Sequence, residues 1–118
     1  MTVHLEKGKD GETMARRYLE KKDFIVQICN WRSGRYEIDI IATKNDVIHF
    51  IEVKTRYSLE FGYPEEAVTR KKFNYLKKGA AAFLSRFKEV KKIQFDVLSI
   101  LIIAGKTEYT FFEDVYMD

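Results

Sequence analysis

A chain of 118 residues with 46% hydrophobic and 33% charged residues has the composition of one folded domain and is too short for two. Its single cysteine, Cys29, excludes an internal disulfide and indicates a reducing, cytoplasmic compartment. The polar residues 1–12 do not have the pattern of a secretory signal peptide. The longest apolar run, residues 97–104, is too short to cross a membrane, so no membrane partner is expected.

The basic residues are concentrated in one segment. Residues 70–92 contain nine lysines and arginines against one acid, a net charge of +8, whereas the rest of the chain carries a net charge of −5. This separation predicts a basic surface for a polyanion and an acidic centre elsewhere. A lysine-rich helix face that contacts only solvent accounts for the charges equally well.

The first third of the chain predicts a helix and a strand. The helix covers about residues 9–22 and carries Glu12 in its opening turn. Its expected buried face comprises Met14, Ala15, Tyr18 and Leu19. Residues 24–30 are apolar enough for the first strand, and we expect a turn or loop over residues 31–36, which mix aromatic and basic side chains.

Two further strands follow in quick succession. Residues 37–43 predict the second strand and residues 47–56 the third, and the polar residues 44–46 between them suit a tight connection. Residues 57–63 then form a loop.

The last third predicts a helix and two strands. The helix starts near Pro64 or Thr69 and runs to about Phe87. Its expected buried face comprises Phe73, Leu76, Ala80, Phe83, Leu84 and Phe87. A strand over residues 93–103, a turn over 104–106 and a final strand over 109–116 complete the chain. The order αβββαββ predicts an α/β domain with a central mixed β-sheet flanked by helices.

The third strand changes character halfway along. Residues 47–51 are apolar, as in a strand buried on both faces, and Glu52, Lys54 and Arg56 then follow at every second position. Side chains two residues apart in a strand point to one side. Burying an acid or an amine is costly unless it meets a partner or a metal, so this strand is a candidate for half of a metal-dependent site that cleaves phosphodiesters.

Asp39 supplies the other half. Ile38 and Ile40 are expected to face one side of the second strand, which directs Asp39 to the other and brings it close to Glu52 across the connection. Two neighbouring carboxylates repel unless a divalent cation lies between them, and Mg²⁺ prefers oxygen ligands. Lys54 would then orient the attacking water. Alternatively, Asp39 and Lys54 form a cross-strand ion pair, with Glu52 paired to Arg56 or solvent.

These residues resemble the PD-(D/E)xK, or restriction-endonuclease-like, nucleases, and more closely the YraN-like family of bacterial predicted endonucleases related to archaeal Holliday-junction resolvases. The matching positions are Gly8, Gly11, Glu12, Ala15, Tyr18, Leu19, Asn30, Arg32, residues 37–39, residues 50–56, Gly62, Ala67, Val68, Lys71, Ala80 and residues 95–97. Tyr36 and Gln94 depart from the family, which usually has a glycine and a basic residue there.

The resemblance implies a restriction-endonuclease-like fold and a nuclease that acts on DNA, branched or damaged, with Mg²⁺ or Mn²⁺ as cofactor. It implies that Asp39, Glu52 and Lys54 are catalytic and that Glu12 is a further helical acid, with Asp39, Glu52 and Glu12 as metal ligands. A homodimer follows from the kinship with resolvases, because symmetric junctions offer paired cuts.

Nucleic-acid contacts are expected from Arg32, Arg35, Arg56 and Lys71. The aromatic residues of 31–36 serve at least as well as core anchors. Those of 57–63 either flank the cleft or form a dimer contact, and ordinary packing accounts for them equally well. Two other functions stay open from sequence alone. One is a non-catalytic nucleic-acid-binding module on the same fold, and the other is a partner-binding scaffold.

Overall fold

The computed structural model describes residues 3–87 and 92–117, with side chains from residue 11 onward. The elements in chain order are helix α1 (Val3–Lys21), strands β1 (Ile25–Ser33), β2 (Tyr36–Lys44) and β3 (Val47–Arg56), a short 3₁₀ helix (Pro64–Ala67), helix α2 (Arg70–Leu84), and strands β4 (Lys92–Ile103) and β5 (Lys106–Phe112). The predicted order αβββαββ is confirmed. Within the described residues, no helix has the length and apolar character that a membrane span requires.

The strands form one five-stranded sheet in the order β1-β2-β3-β4-β5. β3 and β4 are parallel, and the other neighbouring pairs are antiparallel. A parallel pair needs a long crossover, which the 3₁₀ helix and α2 supply between β3 and β4. The mixed α/β sheet expected from the sequence is thereby confirmed, and it is consistent with a restriction-endonuclease-like fold.

Each face of the sheet has its own core. On one face, Ala15 and Leu19 of α1 pack with residues that include Ile40, Ile51 and Leu98. On the other face, the buried residues of α2 pack against Ile38 and Phe50, among others. The predicted buried face of α2 is confirmed for Phe73, Leu76, Ala80 and Phe83, whereas Leu84 is half-buried and Phe87 is exposed. Phe87 is exposed because it lies beyond the end of α2 at Leu84.

The predicted loop over residues 31–36 is wrong. β1 continues through Trp31 to Ser33, β2 already begins at Tyr36, and Ser33 pairs with Tyr36 across a two-residue turn. The turn uses Gly34, whose φ of 57° suits a tight hairpin. Trp31 is buried in the core on the α2 side, and the exposed Arg32 follows it, so the alternation of a strand continues to the turn.

The final strand is also displaced from its predicted position. β5 covers Lys106–Phe112 rather than 109–116. The chain leaves the regular ladder where Asp114 adopts a left-handed φ of 54°, although Val115 N–H still donates to the carbonyl of Phe95 at 2.8 Å. The start of α1 differs as well, at Val3 rather than about residue 9. α2 begins at Arg70, which agrees with a predicted start near Thr69: this residue is the N-cap, and its hydroxyl accepts from Lys72 N–H at 3.3 Å.

Candidate functional site

Asp39 lies where the regular alternation of β2 breaks. Ile38 belongs to the core on the α2 side and Ile40 to the core on the α1 side, so the expectation that these two residues share a face is wrong. The same break occurs in β1, where Trp31 pairs with Ile38 and Cys29 pairs with Ile40. Between Cys29 and Trp31, Asn30 has a left-handed φ of 54°, which rotates the strand and redirects the side chains on either side.

The carboxylate of Asp39 takes the place of a backbone hydrogen-bond partner. The β2–β3 ladder runs from Lys44 and Val47 to Ile40 and Ile51, and no pairing continues beyond that point. There, Val53 N–H donates to Asp39 Oδ2 at 2.8 Å. Because this bond fixes the carboxylate against the backbone of β3, Asp39 is held beside the strand that carries Glu52 and Lys54.

Glu52 and Lys54 form an ion pair on their own strand. Lys54 Nζ lies 3.4 Å from Glu52 Oε1, and each side chain is about one-fifth exposed, at 22% for Lys54 and 20% for Glu52. Lys54 makes no other ion pair among residues 11–87 and 92–117. The alternative pairing of Lys54 with Asp39 is therefore not observed. The expectation that Glu52 and Lys54 point to one side is consistent with this distance.

The pKa of Asp39 reflects the burial of its carboxyl and the charges beside it. Burial of the carboxyl, and next the negative charge of Glu52, raise the pKa of Asp39 from 3.8 to about 7. The hydrogen bond from Val53 N–H and the positive charge of Lys54 oppose that rise. The structure therefore brings Asp39, Glu52 and Lys54 within electrostatic reach of one another, and leaves the two carboxylates in an arrangement that an added positive charge would relieve.

Glu12 lies near Asp39 in a cavity that Glu52 and Lys54 do not line. Glu12 and Asp39 both line this cavity of about 210 Å³ on the α1 side of the sheet, together with Gly11, Asn30, Ile40, Val53 and Thr55. From β3, the lining residues are Val53 and Thr55, which alternate with Glu52 and Lys54. Glu12 also approaches the thiol of Cys29: burial raises the pKa of Cys29, and the carboxylate of Glu12 adds to the rise.

The donor set suits a cation with few protein ligands. Over residues 11–87 and 92–117, no three His, Cys, Asp or Glu side chains are grouped closely enough to hold a metal ion. Asp39 and Glu52 remain as two carboxylates near each other, and Mg²⁺ is commonly held by one or two carboxylates, with water and substrate phosphate completing its shell. Glu12 as a third ligand stays a prediction.

The four predicted nucleic-acid contacts lie in different environments. Arg32 pairs with Glu37 at 3.3 Å, and both side chains are largely exposed. Arg35 lies over the rings of Tyr36 and Tyr75. Lys71 is exposed on α2. Arg56 is half-buried, and its Nε is buried without a hydrogen-bond partner within the part of the chain that the structure describes.

One buried polar cluster was not predicted. His49 Nδ1 lies 2.6 Å from Asp96 Oδ2, and Asp96 Oδ1 accepts from Gln94 Nε2 at 2.9 Å and from Asp114 N–H at 3.0 Å. These bonds connect Asp96 to β3, to its own strand and to the chain after β5, and thus assign it to the sheet. Thr55 was not predicted as a site residue, although it lines the cavity. Its position next to Lys54, on the other side of the strand, is the sequence feature that could have indicated this.

Comparison with known proteins finds similarity across most of the chain. The model of a family described as "Uncharacterised protein family UPF0102" matches residues 11–100. A UPF0102 protein of Syntrophomonas wolfei is 44% identical over 107 residues, covering 90% of this chain and 93% of that protein. One from Dictyoglomus thermophilum is 46% identical over 98 residues, covering 82% and 83%. One from Bacteroides fragilis is 36% identical over 107 residues, covering 91% and 86%.

Proposed function

The chain belongs to the uncharacterised protein family UPF0102, and we propose that it is a metal-dependent nuclease that hydrolyses phosphodiester bonds in DNA. The observation that carries the proposal is the position of the Asp39 carboxyl, which Val53 N–H holds beside β3. Desolvation and the charge of the nearby Glu52 raise its pKa to about 7. Two acids and a lysine in this arrangement favour binding of a divalent cation and a phosphate next to it.

Each residue of the group has a distinct role in this proposal. Asp39 and Glu52 would hold Mg²⁺, or Mn²⁺ in its place, and the ion would activate a water and offset charge on the phosphodiester. Val53 N–H fixes the orientation of the Asp39 carboxylate. Lys54, held beside Glu52, orients the attacking water and stabilises the charge that develops on the phosphate. Glu12 is proposed as an additional acid in the adjoining cavity.

Cleavage of defined DNA substrates tests the proposal. The purified protein is incubated with linear duplex, flapped and four-way DNA in the presence of Mg²⁺, Mn²⁺ or EDTA. We expect cleavage that requires the metal, with branched DNA cut in preference to linear duplex. Asp39→Asn, Glu52→Gln and Lys54→Ala should each lower the cleavage rate by about a hundredfold or more, because each removes a group that the reaction uses.

A matched control separates the site from general charge effects. Glu108 on β5 is exposed and lies outside the site, so Glu108→Gln changes the charge as Glu52→Gln does and should leave the rate unchanged. Full activity in Asp39→Asn or Lys54→Ala would contradict the proposal. So would the absence of cleavage of every DNA structure with both metals.

A non-catalytic nucleic-acid-binding module is the second candidate. The observation that favours it is the lack of a three-ligand metal group among the described residues. Such a module would bind DNA equally well in EDTA and in Mg²⁺, and Asp39→Asn would not change its affinity. Binding with those properties, together with no cleavage, would select this function over the nuclease.

A further inference from the structure

The exposed face of α2 forms a positively charged groove. Its lining residues are Arg70, Lys71, Asn74, Tyr75 and Lys78, and the groove has a volume of about 530 Å³. These positions recur every three to four residues along the helix, so they share one face, while Phe73, Leu76 and Ala80 on the other face are buried. The lining thus has three cationic groups, an amide and a phenol, and no acid.

Arg35 is fixed beside this groove by two aromatic rings. Its guanidinium carbon lies 5.5 Å from the ring centroid of Tyr36 and 5.7 Å from that of Tyr75. The two rings are themselves in contact, with centroids 5.7 Å apart. Because Tyr36 begins β2 and Tyr75 lines the groove, the stack joins the β1–β2 hairpin to α2.

The neighbouring acid does not neutralise Arg35. Glu37, two residues away, pairs with Arg32 at 3.3 Å. The Arg35 side chain also hydrogen-bonds the side chain of Tyr36, but a guanidinium has five N–H donors, so donors remain for another ligand. Arg35 therefore adds a fourth, positioned cation to the three that line the groove.

The size of the groove suits a nucleic-acid strand. Arg70 and Lys78 are eight residues apart on a helix, a rise of about 12 Å. One strand of duplex DNA has a phosphate for every 3.4 Å or so of helix axis and follows a longer path between phosphates, so this length spans no more than about three of them. The amide and the phenol can donate hydrogen bonds to phosphate oxygens, as lysine and arginine can.

We propose that the groove along α2, together with Arg35, binds the phosphate backbone of DNA and does so without reading the base sequence. The choice of DNA as the ligand rests on the proposed nuclease function. The cations that line the α2 groove can pair with phosphates, whereas readout of base edges requires side chains inserted into a groove of the duplex. This surface would hold the DNA that the acids on β2 and β3 cleave.

Fluorescence anisotropy of labelled duplex DNA in EDTA tests the groove separately from catalysis. The full chain is compared with a Lys71→Gln/Lys78→Gln variant between about 50 and 200 mM salt. We expect the variant to bind at least about tenfold more weakly at the low end of that range, and its log–log salt slope to be smaller by about 1.8, because two phosphate contacts are lost. The loss should be the same for two duplexes of unrelated sequence.

The control variant carries the same change in charge elsewhere. Lys21 at the end of α1 and Lys106 at the start of β5 are both exposed and lie outside the groove, so Lys21→Gln/Lys106→Gln should keep nearly wild-type affinity and slope. Equal losses in the two variants would overturn the proposal, because they would mean a general charge effect. Unchanged binding in the groove variant would overturn it as well.

A double-mutant cycle tests the role of the stack. Arg35→Ala and Tyr36→Leu should each weaken binding, and the double variant should bind no more weakly than Arg35→Ala by itself, because Tyr36 does not line the groove and acts by holding Arg35. Arg35→Lys should restore only part of the affinity, since lysine lacks the planar group that stacks. Additive losses in the cycle would contradict a role for the stack.

The outcomes for the groove and for the nuclease are distinguishable. If the groove variant loses DNA binding but no DNA is ever cleaved, the groove stands and the proposed nuclease function fails. If cleavage requires metal and Asp39 while the groove variant binds like its control, the nuclease stands and the groove fails.

Discussion

Asp39 combines burial with a charged neighbour, and its titration couples to the stability of the fold. In the unfolded chain its carboxyl loses a proton near pH 4. In the folded chain its pKa is about 7, because burial and Glu52 disfavour the charged form. The folded state therefore holds more protons between these values. Its stability falls as the pH rises from about 4 to about 7, and the loss is complete above that range.

Replacing Asp39 with asparagine should stabilise the metal-free protein at high pH. Asparagine keeps an oxygen that accepts from Val53 N–H but has no charge to bury. In EDTA we expect Asp39→Asn to exceed wild type in its free energy of unfolding by roughly 1 to 4 kcal/mol at about pH 8, and by little at about pH 4. Urea unfolding of both proteins at the two pH values measures this. A difference that does not grow with pH would contradict the titration of Asp39, and Glu108→Gln provides the matched control.

Sequence reasoning identified Asp39, Glu52 and Lys54 as a group because charge is unusual next to apolar strand positions. It did not predict how Asp39 points. The relevant event is the left-handed φ of Asn30 on the neighbouring strand. A polarity pattern assumes a regular alternation, and asparagine adopts both left-handed and extended conformations, so the break in β1 and β2 is not visible in the sequence.

At the scale of elements, regular periodicity was predictable and termini were less so. A tight connection over residues 44–46 was expected, and in the structure Asn45 and Asp46 alone form it, both with the positive φ that a tight hairpin requires. The other hairpin was predicted as a turn or loop because residues 31–36 mix aromatic and basic side chains. Cross-strand pairing with Tyr36 and Glu37 and burial of Trp31 extend β1 in spite of that local composition.

Asp96 links three elements, and its removal should be costly. Its carboxylate contacts His49 on β3, Gln94 on its own strand β4, and the backbone of Asp114 after β5, while Asp96 itself is fully buried. We expect Asp96→Ala to lower the free energy of unfolding by about 3 kcal/mol or more, because it leaves a buried histidine and two donors without an acceptor.

Asp96→Asn provides the control for that prediction. Its amide oxygen can still accept from Gln94 or Asp114, so it should cost less than Asp96→Ala in the same urea unfolding experiment. Equal stability of Asp96→Ala and wild type would contradict the assignment of Asp96 to the sheet. Because none of the hydrogen bonds of Asp96 involves Asp39, Glu52 or Lys54, neither variant should change the metal dependence of any cleavage that remains.

For the whole molecule, the order of elements and the mixed sheet followed from hydrophobic periodicity, and the family predicted from the ordered motifs is confirmed. The division of the acids between two places was not predictable. Glu12 lines the cavity on the α1 side, while Glu52 and Lys54 alternate with the residues of β3 that line it. Which face a helical acid reaches depends on how the helix packs on the sheet, and no local sequence pattern encodes that packing.

We expect the predicted homodimer to form through the loop between β3 and the 3₁₀ helix. Phe61 is 80% exposed, and Leu59 and Tyr63 in the same loop are 44% and 51% exposed. Neighbouring exposed apolar side chains commonly mark an interaction site, and a second copy of the chain fits the paired cuts that a symmetric junction requires. We expect the wild-type protein to be a dimer by light scattering, and Leu59→Ser/Phe61→Ser to be a folded monomer.

Tyr116→Ser is the control for the dimer, since Tyr116 is 82% exposed near the end of β5 and outside this loop. It should leave the dimer intact. A monomeric wild type, or a Leu59→Ser/Phe61→Ser variant that remains dimeric, would contradict the assignment of the interface. If the loop variant is monomeric and still cuts one strand of a four-way junction but no longer makes paired cuts, the dimer serves to coordinate two sites, each of which is complete within one chain.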